Sequence, residues 1–271
     1  MPDARSTLLV YNTADRLLRG DLFHTVTTED VLRDLSGYPA DWPIVGVGTT
    51  NWLMRNGEVI PDGTAGKPRF LWTDPESDPL GRILDVCWRT PADEGAVLVT
   101  PRVDSNDRQA NFPFLVVAVC NPETALIWRV NDLPNLHEWL VGQLAANNIG
   151  VAGVQVKARC RHVRTTDAYN VPLSGMDLSK GYVGEQHFRF GEYGDSDWIF
   201  NGAYTGNPSL HPFISVPGVP LHLHGYRPAE EDGGHIVVAE VAEAVVTVWP
   251  LDDMFMKLHN VSKAMNPVKT V

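Results

Sequence analysis

Apolar and polar residues along this chain alternate more often than they recur at helical spacing, and glycine, proline and aspartate cut the sequence into short segments. That pattern predicts a protein built largely from β-strands. The first is TLLVYN at 7–12, followed by a polar, helix-capable segment ending at Gly20. An alternating strand starts at Ile44, where Gly46 and Gly48 mark a close approach by backbone or ligand. Asn56-Gly57 is a hairpin-turn dipeptide, so Glu58, Val59 and Ile60 begin a returning strand, and Asp62-Gly63 reads as the next turn. Further strands are expected at 69–72, 83–88, 96–99, 112–120, 151–166, 236–239 and 243–249. Phe188, Phe190, Trp198, Phe200 and Tyr204 supply short ones in a loop-rich region, and 104–109 reads as an exposed loop.

The helices are fewer. Thr27 or Thr28 caps one that carries Glu29 and Asp30 in its first turn, buries Val31, Leu32 and Leu35, and stops at Gly37. The clearest spans 132–147: Asp132 or Asn135 caps it, Pro134 sits in its first turn, and Leu136, Trp139, Leu140 and Leu144 share a face. A short terminal helix is expected within 251–260. Together these elements predict an α/β protein of the α+β kind. Its two sheet-rich halves, 1–150 and 151–271, divide where the long helix ends.

Composition changes this picture little. The chain has 271 residues, 44% of them hydrophobic and 20% charged, as expected for one large domain or two small ones. Its formal net charge of -11 argues against nucleic acid or an anionic membrane as a partner, since both reward basic patches. A small anionic substrate remains compatible, because a metal and an arginine create a local positive pocket. No apolar run reaches the length of a membrane span, and the N-terminus lacks the apolar stretch of a signal peptide. Cys87, Cys120 and Cys160 are odd in number and far apart, which predicts free thiols in a reducing cytoplasm.

Candidate chemistry concentrates in GVPLHLHGYRPAEEDGGH at 218–235. His222 and His224 are two apart, so on a strand both leave one face while Leu221 and Leu223 enter a core. A hairpin through the Gly-, Pro- and acid-rich residues 225–234 brings His235 beside them. Three imidazoles without an obvious fourth protein ligand suit a catalytic zinc, which keeps one position open. A cupin site also uses HxH, but the spacing of the following acid and glycine fits that pattern poorly. Glu58, taken alone, reads as a solvated hairpin acid. Gln155, Lys157, Arg159 and Arg161 alternate onto one side of a continuous strand, and Arg164 and Thr166 share a face; such a cationic strand is ordinarily solvated.

Beyond these spacings, ISVPG at 214–218, HLH at 222–224 and GGH at 233–235 resemble the acetolactate decarboxylase family, as does GVGTTNWLMRNGEVIPDG at 46–63. The similarity extends more weakly over 29–35 and 133–166. It implies an N-terminal mixed sheet that pairs across a homodimer and a smaller C-terminal sheet holding zinc (Zn2+) on His222, His224 and His235. It also implies that Glu58 reaches a metal-bound small 2-hydroxy-3-keto acid, which loses CO2 through a metal-stabilised enediolate.

Two departures accompany the resemblance. Thr166 stands where the family has an arginine, so Arg164, two residues earlier on the same face, is the candidate catalytic cation. The family returns a glutamate to the zinc site from its C-terminus, whereas only Asp252 and Asp253 follow Glu243 here. These departures open a second expectation: the same fold and zinc serving isomerisation, dehydration or another lyase reaction on a specialised metabolite. A third is a non-catalytic fold-mate that keeps zinc for stability or binds a ligand.

Overall fold

The computed structural model describes residues 5–18, 25–52, 55–72, 111–168, 188–229 and 232–258. Its strands are β1 (Thr7–Tyr11), β2 (Val26–Thr27), β3 (Ile44–Trp52), β4 (Arg55–Thr64), β5 (Lys67–Trp72), β6 (Asn111–Phe112) and β7 (Phe114–Val119). They continue as β8 (Leu126–Leu133), β9 (Val151–Ala168), β10 (Phe188–Tyr193), β11 (Ser196–Thr205), β12 (Leu221–Arg227), β13 (Asp232–Pro250) and β14 (Asp253–Lys257). The helices are α1 (Ala14–Leu18), α2 (Thr28–Leu35), α3 (Leu136–Ala146) and α4 (His211–Ile214).

Two six-stranded sheets result, ordered β14-β1-β7-β3-β4-β5 and β10-β9-β11-β12-β13-β8, while β2 and β6 pair apart. The first is mixed, because β14 runs parallel to β1 and the other pairs are antiparallel. The second is antiparallel throughout, and β13 pairs with β9 as well as β12, closing β9, β11, β12 and β13 into a ring. The α+β class is the one expected from the sequence. The second sheet, expected to be the smaller, matches the first in strand number among the described residues.

Hydrophobic faces fix the layering. Val31 and Leu35 of α2 pack on Leu9, Ile44, Val59, Leu115 and Val117 from the outer face of the first sheet. Leu136, Leu140 and Leu144 of α3 cover Val154, Val156, Phe200, Leu221 and Val246 of the second. The inner faces meet through Val45, Val47, Phe114 and Val116 on one side and Ala203 and Trp249 on the other, with Ile214 of α4 in the same cluster. The order is helix, sheet, sheet, helix.

Local chemistry explains the element ends. Thr27 and Asp30 form a reciprocal capping box at α2. Asn135, rather than Asp132, caps α3, its side chain accepting from the Glu138 amide at 3.1 Å. Gly46 meets backbone rather than ligand: a Cβ there would lie 2.0 Å from the Val116 carbonyl oxygen of β7.

Several expected boundaries move. Trp52 pairs with Arg55, so Asn56 and Gly57 lie inside β4 and the chain reverses before them. Thr64 pairs with Lys67, which places the next reversal after Asp62-Gly63. The strands expected at 236–239 and 243–249 are one strand, β13, and the segment expected as a terminal helix contains β14. Residues 126–133 form β8 because their edge-on pairing with β13 outweighs their mixed local pattern. β8 and α3 therefore join the second sheet and β14 returns to the first, so the sheets do not divide at residue 150. Cys120 and Cys160 are buried free thiols. The strands expected at 83–88 and 96–99, the loop at 104–109 and Cys87 lie outside the described residues. No helix among the described residues is long and apolar enough to cross a membrane.

Candidate metal centre

The centre forms where the β12–β13 hairpin faces the first sheet. Strand alternation sends Leu221 and Leu223 into the α3 core, leaving His222 and His224 to point at β4 and β7. In register, His224 pairs with His235 across the hairpin, and His235 pairs with Thr166 of β9 on its other side. Gly233 permits this close pairing, since a Cβ on it would lie 2.2 Å from the Gly225 carbonyl oxygen. His222 Nε2 is 3.1 Å from His235 Nδ1 and 3.1 Å from His224 Nε2. One ligand atom from each of the three rings lies within 4.8 Å of the others.

Hydrogen bonds on the far side of two rings set their tautomers. His222 Nδ1–H donates to the Ile214 carbonyl at 2.8 Å, and His224 Nδ1–H donates to the Val59 carbonyl at 2.9 Å. Burial lowers His222 to about 4 and His235 to about 3, and holds His224 well below its ordinary value. All three rings are therefore neutral near pH 7. With Nδ1 protonated, the Nε2 atoms of His222 and His224 present lone pairs to each other. Converging lone pairs are the donor set of a divalent cation, and carbonyl-anchored imidazoles match the outer shell that orients metal ligands. The residues fit zinc.

The other sequence candidates fall around this cluster. Glu58, opposite Thr49 in the β3–β4 pair, is 6% exposed and brings Oε2 to 3.2 Å from His224 Nε2. It is thus a buried acid within a strand, not a solvated hairpin residue. Phe114 stacks on His222, with centroids 6.1 Å apart and an interplanar angle of 11°. Arg164 lies on β9 two residues from Thr166. Its Nε is 3.1 Å from Glu192 Oε1 without hydrogen-bond alignment, and its guanidinium sits 4.8 Å from the Phe190 centroid. The Thr166 hydroxyl is buried with no hydrogen-bond partner. Asp252 and Asp253 do not supply the second carboxylate: Asp252 accepts from the Ser6 amide at 3.1 Å, and Asp253 lies 3.9 Å from Arg5.

No protein-family model matches the chain, and no curated protein matches it. Solved structures do. The α-acetolactate decarboxylase of Bacillus subtilis strain 168 superposes with a TM-score of 0.65 over 96% of this chain and 92% of that one, at 15% identity. The chain has the acetolactate decarboxylase fold. The enzyme from Bacillus subtilis subspecies spizizenii gives a TM-score of 0.65 at 15% identity, covering 96% of this chain and 93% of that one. A Staphylococcus aureus protein described as of unknown function and similar to α-acetolactate decarboxylase gives 0.63 at 15% identity, over 92% and 88%. At this identity the likeness is one of fold.

Within the acetolactate decarboxylase fold, the Val59 and Ile214 carbonyls and Phe114 were not singled out from the sequence. Ile214 opens the ISVPG segment and Val59 follows Glu58, so both were within reach of the motifs. Phe114 carried no local signal, because only sheet packing brings β7 against β12.

Proposed function

We propose that this chain is a zinc-dependent lyase that decarboxylates a small 2-hydroxy-3-keto acid. The observation that carries the reading is the convergence of three neutral imidazoles, His224 fully buried and His222 and His235 half-buried, with the Glu58 carboxyl 3.2 Å from one of them. His222, His224 and His235 would hold the ion, and the chain shares its fold with the α-acetolactate decarboxylase of Bacillus subtilis strain 168. Bound zinc supplies a Lewis acid that polarises a substrate oxygen and gives the electrons left by CO2 a sink. The bond to the carboxylate carbon breaks, CO2 leaves, and the electron pair delocalises into the neighbouring carbonyl. Glu58 then delivers the proton that replaces the carboxylate. Arg164, released from Glu192, orients the substrate carboxylate by charge. The reading includes a small anionic substrate, a homodimer and a cytoplasmic setting.

The Thr166 hydroxyl, and an Arg164 already engaged by Glu192 and Phe190, favour a second version. In it the same zinc site performs isomerisation, dehydration or another lyase reaction on a specialised metabolite. Incubating zinc-loaded protein with racemic 2-acetolactate and following acetoin and CO2 tests the first version. Production of both is expected. Zinc binding without product would leave the second, and failure to bind any divalent transition metal would remove both.

A further inference from the structure

We propose that Asp62 is a positioning residue for the metal centre, clamping the strand that carries Glu58 against the strand that carries His222 and His224. The inference rests on the metal-site reading above. Asp62 lies on β4, four residues beyond Glu58, and even spacing puts both side chains on the face toward the second sheet. Val59, between them, turns its side chain into the α2 core while its carbonyl accepts from His224.

The Asp62 carboxylate is a hub. Oδ2 accepts from the Tyr226 hydroxyl at 3.0 Å and lies 3.5 Å from the Arg69 guanidinium. Oδ1 accepts from Asn201 Nδ2 and from Gln155 Nε2, each at 3.4 Å. Gln155 Nε2 also donates to Asn201 Oδ1 at 3.0 Å, and Asn201 Nδ2 donates to the Pro61 carbonyl at 2.9 Å.

Geometry gives this hub its role. Gln155, Asn201 and Tyr226 belong to β9, β11 and β12, and Asn201 pairs directly with both Gln155 and His224. β4 therefore holds β12 at two points: the Val59 carbonyl on His224, and Asp62 on Tyr226 two residues further along. Asn201 is fully buried, so its donors and acceptor need these partners. Both His224 orientation and Glu58 placement depend on β4 staying in this register, and Asp62 fixes it.

The test compares wild type, Asp62→Asn, Tyr226→Phe and, as a destabilised control remote from β4, Leu144→Ala. Zinc affinity is measured by chelator competition at a temperature where all are folded, and the visible spectrum is recorded with cobalt in place of zinc. Asp62→Asn is expected to weaken zinc about 10–100-fold, the range for lost outer-shell partners, and to alter the cobalt bands. Tyr226→Phe should do so to a smaller degree, and it carries the test should Asp62→Asn fail to fold. Leu144→Ala should lower the melting temperature with both readouts unchanged. Wild-type zinc affinity and cobalt bands in the Asp62 and Tyr226 variants would overturn the inference while leaving the metal site intact. A wild type that binds neither metal would overturn the metal-site reading and this inference with it.

Discussion

At the scale of single residues, the telling feature is which nitrogen of each histidine is committed elsewhere. His222 and His224 both donate through Nδ1 to backbone carbonyls, which turns their Nε2 lone pairs into the same space. HxH spacing supplies the shared strand face but not the tautomer, because the accepting carbonyls come from α4 and β4. Glu58 is the complementary case. Its position beside a turn dipeptide suggested solvent, yet β4 continues through Asn56-Gly57 and buries it. Glu58→Gln keeps the shape of the side chain and removes its proton chemistry. Zinc stoichiometry by elemental analysis should be unchanged, while acetoin formation falls at least about 100-fold, the low end for losing a general acid.

Among elements, the two capped helices are legible because their signals are local, whereas the helix expected within 251–260 contains strand β14. The Thr27–Asp30 capping box and the Leu136, Leu140, Leu144 stripe are read from neighbours three and four residues apart. Leu140 is fully buried on the inner face of α3, so Leu140→Ala should lower unfolding free energy by about 2–5 kcal/mol in urea denaturation. Strands proved harder. β8 forms by pairing with β13, and β14 by pairing in parallel with β1, more than two hundred residues away in sequence. Nothing in the local pattern of 126–133 or 253–257 announces either partner.

For the whole molecule, the candidate metal centre sits where two sheets meet, each already backed by its own helix and core. Such a site should not be needed for folding. Chelation is expected to leave the far-ultraviolet circular dichroism of a sheet protein intact, lower the melting temperature, and allow zinc to restore it, as binding linkage requires. Collapse of the spectrum on chelation would instead mark the ion as structural.

What the sequence alone determined was whatever depends on short spacing: the α+β class, the two capped helices, and three histidines on a single hairpin. Tertiary structure decided the rest. It placed β8 and β14 across the expected boundary, buried Glu58 against His224, and occupied Arg164 with Glu192 and Phe190. The reason is physical. Alternation along a strand tells which side chains share a face, but which strand lies opposite is chosen by long-range pairing and by the fit between two sheets.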